Sequence, residues 1–122
     1  MTMPHLNRIM LYVRDMAATA AFYETHFGYR AEQAPGDRLV ELIPAGGGAI
    51  LMLHPAAKSQ KGEQAAVKLV FDVEDVEAFC RDCATKGLDF GPVHDVPGYR
   101  FANVKDPNGN SVSVSSRAFR RA

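Results

Sequence analysis

Residues Arg8 to Met16 read RIMLYVRDM and residues Lys68 to Val76 read KLVFDVEDV, so one pattern recurs at a displacement of 60 residues. A chain that repeats itself in this way is built from two copies of one supersecondary unit, and each copy must solve the same packing problem. Within both segments apolar and polar residues alternate, as in a strand with one buried face. Both then reach an aspartate, Asp15 or Asp75, which can accept hydrogen bonds from the free N–H groups that open a helix.

The patterning therefore predicts a strand feeding a helix in each half. The helices are expected over Ala17 to Phe27 and Val76 to Lys86, with Gly28 and Gly87 as their stops. A short extended piece follows each, Tyr29 to Gln33 and Leu88 to His94. Two hairpin-linked strands complete each half: Arg38 to Ile43 with Ala49 to His54, and Tyr99 to Lys105 with Asn110 to Ser115. Glycine marks both turns, in PAGGGA and in DPNGN, where positive φ is cheap. Gly46 to Gly48 precede no helix start, so they read as a turn and not as a phosphate cradle. The expectation is one α+β domain over 1–122: two βαβββ modules, about 5–54 and 66–116, joined by a polar linker at about 55–65. They would form a cupped, mostly antiparallel sheet with the helices packed on its outer face.

Alternation then separates two faces. One collects Ile9, Leu11, Val13, Val40, Leu42, Leu51, Leu53, Leu69, Phe71, Val73, Val112 and Val114, all apolar, and must lie under the helices. The other mixes Met10, Ile50, Met52, Val70 and Phe101 with Arg8, Tyr12, Glu41, His54, Lys68, Asp72, Asn103 and the serines at 111, 113 and 115. A face left in water would be mostly polar, whereas this mixture resembles the lining of a small-molecule site.

The charge balance removes other classes of function. Fourteen basic and fourteen acidic residues give a formal net charge of zero, so no global field attracts nucleic acid or an anionic membrane. The basic tail at Arg117, Arg120 and Arg121 reads as a solvated terminus. No apolar run is long enough to span a bilayer and Met1 to Met10 lack a signal-peptide core, which points to the cytoplasm. Cys80 and Cys83 have no second ligand pair for zinc and fall inside the second helix, as reduced thiols.

The strand ending VRD, the segment AAFYETHFGY, the second strand FDVEDVEAF and the hairpin DPNGNSVSV together resemble the vicinal oxygen chelate superfamily. That superfamily includes glyoxalase I, extradiol dioxygenases and bleomycin resistance proteins. The likeness runs from about Leu6 to Ser116 and implies paired βαβββ modules, a cupped ligand cavity and, commonly, a homodimer. It also implies that metal-using members carry His, Glu, His and Glu on their first, fourth, fifth and eighth strands. By motif these positions fall on Arg8, Met52, Lys68 and Ser113. Guanidinium and ammonium groups have no lone pair to donate, and a thioether and a hydroxyl are poor ligands for hard or borderline cations. No metal and no cofactor are therefore expected. His54, Asp72 and Glu41 could rebuild a site only by a new convergence across strands, and His5, His26 and His94 read as surface residues.

Exchanging two imidazoles for two cations changes what the cavity prefers. Arg8 and Lys68 need compensation, either from Glu41 and Asp72 or from an anionic ligand walled by Tyr12, Met52 and Phe101 and oriented by Asn103 and Ser113. The expected function is metal-independent binding of an anionic or polar small molecule. The alternative is a lyase, isomerase or dioxygenase-type enzyme, lactoylglutathione lyase-like, with Glu41 or Asp72 as base.

Overall fold

In the computed structural model, which describes residues 7–56 and 67–120, Asp15 and Asp75 adopt nearly the same backbone conformation, φ −115° and ψ 94° against φ −114° and ψ 94°. Each carboxylate accepts from the backbone N–H three residues on, Ala18 at 2.9 Å and Ala78 at 3.0 Å. The sequence repeat is thus a repeat of geometry. The chain divides into two compact units, Met1–Gly62 and Glu63–Ala122.

The first unit runs β1 (Arg8–Val13), α1 (Met16–Phe27), β2 (Tyr29–Glu32), β3 (Val40–Pro44) and β4 (Ile50–Pro55). Its sheet has the order β1-β4-β3-β2, with β1 parallel to β4 and the other pairs antiparallel. The second unit repeats this as β5 (Lys68–Asp72), α2 (Val76–Thr85), β6 (His94–Val96), β7 (Tyr99–Lys105) and β8 (Ser111–Ser115), in the order β5-β8-β7-β6. The class is α+β as expected, and each module carries a four-stranded mixed sheet.

The predicted apolar face is the packed one. Leu11, Val13, Leu42, Leu51 and Leu53 are buried with Phe22 and Tyr23 of α1, and Leu69, Val112 and Val114 are buried in the second unit, as are Val76 and Cys83 of α2. Ile9, Val40, Phe71 and Val73 are half-buried. Gly28 ends α1 at φ 68°, a left-handed conformation in which its N–H reaches the Tyr23 carbonyl. Glu24 of the same helix turns back to accept from the Ala31 N–H at 3.0 Å, which ties the entry of β2 to the helix.

One extended segment differs from the expectation. Leu88 to Val93 form no strand, and pairing with β7 begins only at His94. Pro92 has no N–H to offer a ladder, and in that stretch Gly91 alone bonds across, to the Asn103 carbonyl at 2.9 Å. The hairpin between β7 and β8 is fixed by Asp106, a buried carboxylate that accepts from the N–H groups of Asn108 (2.9 Å) and Asn110 (2.8 Å) and from the Asn110 amide (2.9 Å). The expected linker lies outside the described residues beyond Ala56, as do His5 and Arg121. No helix among the described residues is long and apolar enough to cross a membrane.

Candidate functional site

The face opposite the helix carries every candidate residue, and strand register decides which of them meet. In the first unit β4 is flanked by β1 and β3, with Arg8 beside Ile50, Met10 beside Met52, Tyr12 beside His54, and Glu41 on the far side of Met52. The Arg8 guanidinium crosses over β4 to Glu41, Nε to Oε2 at 3.3 Å, with the two side chains 52% and 37% exposed. At that exposure the pair is worth about 0.2–1 kcal/mol. It nonetheless settles the partner of Arg8. Tyr12 and His54 lean together with ring centroids 5.1 Å apart, and His54 Nδ1 lies 2.8 Å from the Pro55 carbonyl.

The second unit repeats the reach but changes the chemistry. Lys68 sits beside Ser111, Val70 beside Ser113 and Asp72 beside Ser115; on the other flank of β8, Lys105, Asn103 and Phe101 face the same three serines. Lys68 Nζ crosses β8 and donates to Asn103 Oδ1 at 3.2 Å. Asn103 holds the register position that Glu41 holds in the first unit, so one module pairs its cation with a carboxylate and the other with a neutral amide. Lys105 Nζ likewise has a neutral partner, the Ser111 hydroxyl at 3.1 Å. Among the described residues neither ammonium has a carboxylate within ion-pair distance. Lys68, Asn103, Lys105 and Ser111, with Val104 and Val112 of the alternate face, line a pocket of about 330 Å³.

Ser113 is buried and donates to the Ala102 carbonyl at 3.1 Å, and buried Ser115 accepts from the Arg117 N–H at 3.1 Å. Asp72 is exposed at the other end of β5. Phe101 stacks on His94 with centroids 4.8 Å apart and planes 29° apart, and Tyr99 follows at 6.4 Å with the Arg117 guanidinium over its ring. His94 is exposed on the outer strand β6, as expected, and its ring stacks on Phe101. Lys105 and Tyr99 were not anticipated, although extending the alternation of β7 by one step each way from Asn103 and Phe101 finds both.

The four positions at which the superfamily's metal users hold their ion do not fit one. Arg8 and Lys68 are hydrogen-bond donors already engaged, the Ser113 hydroxyl is turned into the sheet, and Met52 offers only a thioether. Among the described residues no three His, Cys, Asp or Glu side chains converge as a cation site. The thiols of Cys80 and Cys83 lie away from this face on α2, and burial raises both above the ordinary thiol range.

Two four-stranded βαβββ units, each with one helix-covered face and one face of mixed polarity, define a paired-module protein built to present residues on its open faces. The chain belongs to the Glyoxalase/Bleomycin resistance protein/Dioxygenase superfamily, whose family model matches residues 5–114. A search of curated proteins finds no match. Among solved structures the chain is similar to TnmS3, an antibiotic binding protein from Streptomyces sp. CB03234, at 22% identity and TM-score 0.75, covering 93% of this chain and 96% of that one. It is also similar to a lactoylglutathione lyase from Agrobacterium tumefaciens, at 24% identity and TM-score 0.69 with 91% and 92% covered. A virulence protein from Salmonella typhimurium shares 22% identity at TM-score 0.70, with 94% and 98% covered. At these identities the likeness is one of fold.

Proposed function

We propose that the protein is a metal-independent binder of small anionic or polar molecules, held on the open face of its second module. The observation that carries this reading is the pair Lys68 and Lys105, two ammonium groups at one 330 Å³ pocket whose partners among the described residues are an amide and a hydroxyl. A ligand carboxylate would replace neutral acceptors by a charged one, and such bonds are about twice as strong. The antibiotic-binding relative of the same fold agrees with capture as the task. Arg8, Tyr12, Glu41, Met52 and His54 form the corresponding face of the first module, where the ion pair occupies the cation and sets a polar, weaker subsite.

The same reading takes the protein as a cytoplasmic homodimer. Its two free thiols suit a reducing compartment, and Tyr12 and Val70, 48% and 56% exposed on the open faces, gain cover from a ligand or a second chain. The test is calorimetric titration with benzoate, inorganic phosphate and the neutral benzamide. The anions should bind and benzamide should not, with the Lys68→Met and Lys105→Met double variant at least tenfold weaker. Equal binding of benzamide, or an unchanged double variant, would reject the proposal.

A further inference from the structure

The last strand of each module runs between two others, and its outward side chains decide whether a channel exists along it. In the first unit β4 fills that line with Ile50, Met52 and His54. At the matching register positions β8 places Ser111, Ser113 and Ser115. Three short side chains now lie between two taller rows, Lys68, Val70 and Asp72 on β5 and Lys105, Asn103 and Phe101 on β7. The floor is closed to solvent, with Ser113 and Ser115 3% and 6% exposed and their hydroxyls tied to backbone groups, so a ligand reaches it only once Lys68 releases Asn103. Two strand spacings set the walls roughly 9.5 Å apart between backbones, and Ser111 to Ser115 spans about 13 Å.

The trough is also graded along its length. One end holds the two ammonium groups, the middle is Val70 against Asn103, and the other end sets the Phe101 ring, backed by His94, opposite the Asp72 carboxylate. His94 stacks on Phe101, and Ser115 is the register partner of Phe101 on its other flank. Between two such walls the shape that fits is a thin, flat one. Allowing one hydrogen bond of about 3 Å at each end, the matching ligand has its polar ends about 7–8 Å apart.

We infer that the second module binds planar aromatic carboxylates bearing a hydroxyl or amino donor at the far end, seated along the β8 serine trough. The carboxylate meets Lys68 and Lys105, the ring lies between Val70 and the Asn103–Phe101 wall, and the distal donor meets Asp72. This rests on the reading of the open face as a binding surface and names the ligand class. Entry requires Lys68 to release Asn103, a neutral acceptor that a carboxylate outcompetes.

The probe is 6-hydroxy-2-naphthoate, followed by its own fluorescence in a chain without tryptophan. It should bind at least tenfold more tightly than 8-hydroxyoctanoate, an aliphatic acid of similar reach. Ser113→Met, which copies the Met52 of the first unit, should weaken it at least tenfold. Phe101→Leu should weaken it severalfold, and Asp72→Asn should erase its advantage over 2-naphthoate. The inference is overturned if the aliphatic acid binds equally well, or if a cooperatively folding Ser113→Met and Phe101→Leu both bind the naphthoate like wild type. If phosphate and benzoate bind through Lys68 but the naphthoate does not, the binding function stands and this ligand class falls. If no anion binds, both fall.

Discussion

Asn103→Asp converts the second module's cation contact into the first module's, a carboxylate facing the cation that reaches across the last strand, with one atom exchanged. Lys68 Nζ lies 3.2 Å from the acceptor oxygen, so an aspartate there completes an ion pair without moving the backbone. By the precedent of the 52% and 37% exposed Arg8–Glu41 pair, the gain in stability is small, about 0.2–1 kcal/mol. The effect on an anionic ligand is larger, because the new charge stands about 4–5 Å from a bound carboxylate. Unit charges at 4 Å repel by about 1 kcal/mol in bulk water and about 4 kcal/mol near a protein surface. A net loss of about 2 kcal/mol corresponds to roughly thirtyfold in affinity. Calorimetric titration with benzoate at low and moderate salt, beside urea unfolding, measures both quantities. The affinity loss should shrink at higher salt as screening sets in. An Asn103→Asp protein that binds benzoate within threefold of wild type, or that loses more than 1 kcal/mol of stability, would show that Lys68 is not the anion's partner.

The helix caps supply a matched pair of predictions: Asp15→Ala and Asp75→Ala should each cost about 1 kcal/mol in urea unfolding, and values differing severalfold would contradict the geometric equivalence of the two starts. Alkaline pH should destabilise the fold. Burial raises the Cys80, Cys83 and Tyr29 side chains above their ordinary values. The folded chain therefore keeps protons that the unfolded chain releases, and stability falls as pH rises from about 8.5. A melting temperature that stays flat to pH 10, or a slope unchanged in the Cys80→Ala, Cys83→Ala double variant, would contradict this.

Most of the fold was legible because its determinants are local and repeated. The 60-residue displacement, the two aspartate caps and the alternation of β7 over Tyr99–Lys105 each depend on near neighbours in sequence. The segment before β6 was not, since a proline that cannot donate decides where pairing starts and periodicity does not register it. For the candidate site, alternation put Arg8 and Glu41 on one face of the first sheet and Lys68, Asp72, Phe101 and Asn103 on one face of the second, as the registers have them. It could not say who meets whom. The Arg8–Glu41 and Lys68–Asn103 contacts join strands that are not adjacent, so they depend on two registers at once. The serines were read one by one as donors, and their shared lowness, a property of the row, became visible only beside the side chains flanking it.

Met52 and Ser113 occupy one position in the repeat, and the contrast between them bears on the proposed ligand. The resemblance puts a metal-binding carboxylate at both places. Either replacement removes a charged oxygen, but the two differ in volume. Methionine fills the line along β4 and leaves the Arg8–Glu41 pair to close the face over it. Serine buries its hydroxyl against the Ala102 carbonyl and keeps the line along β8 low, beneath a lysine whose partner among the described residues is a neutral amide. On the proposed reading, the serine that does not suit a cation also gives an anion room in the second module, whereas methionine fills the same position in the first. If that is so, Met52→Ser together with Ile50→Ser and Glu41→Gln should install a second trough and a second equivalent of bound naphthoate; a stoichiometry that stays at one per chain would show that floor height and an uncompensated cation are insufficient to make the site.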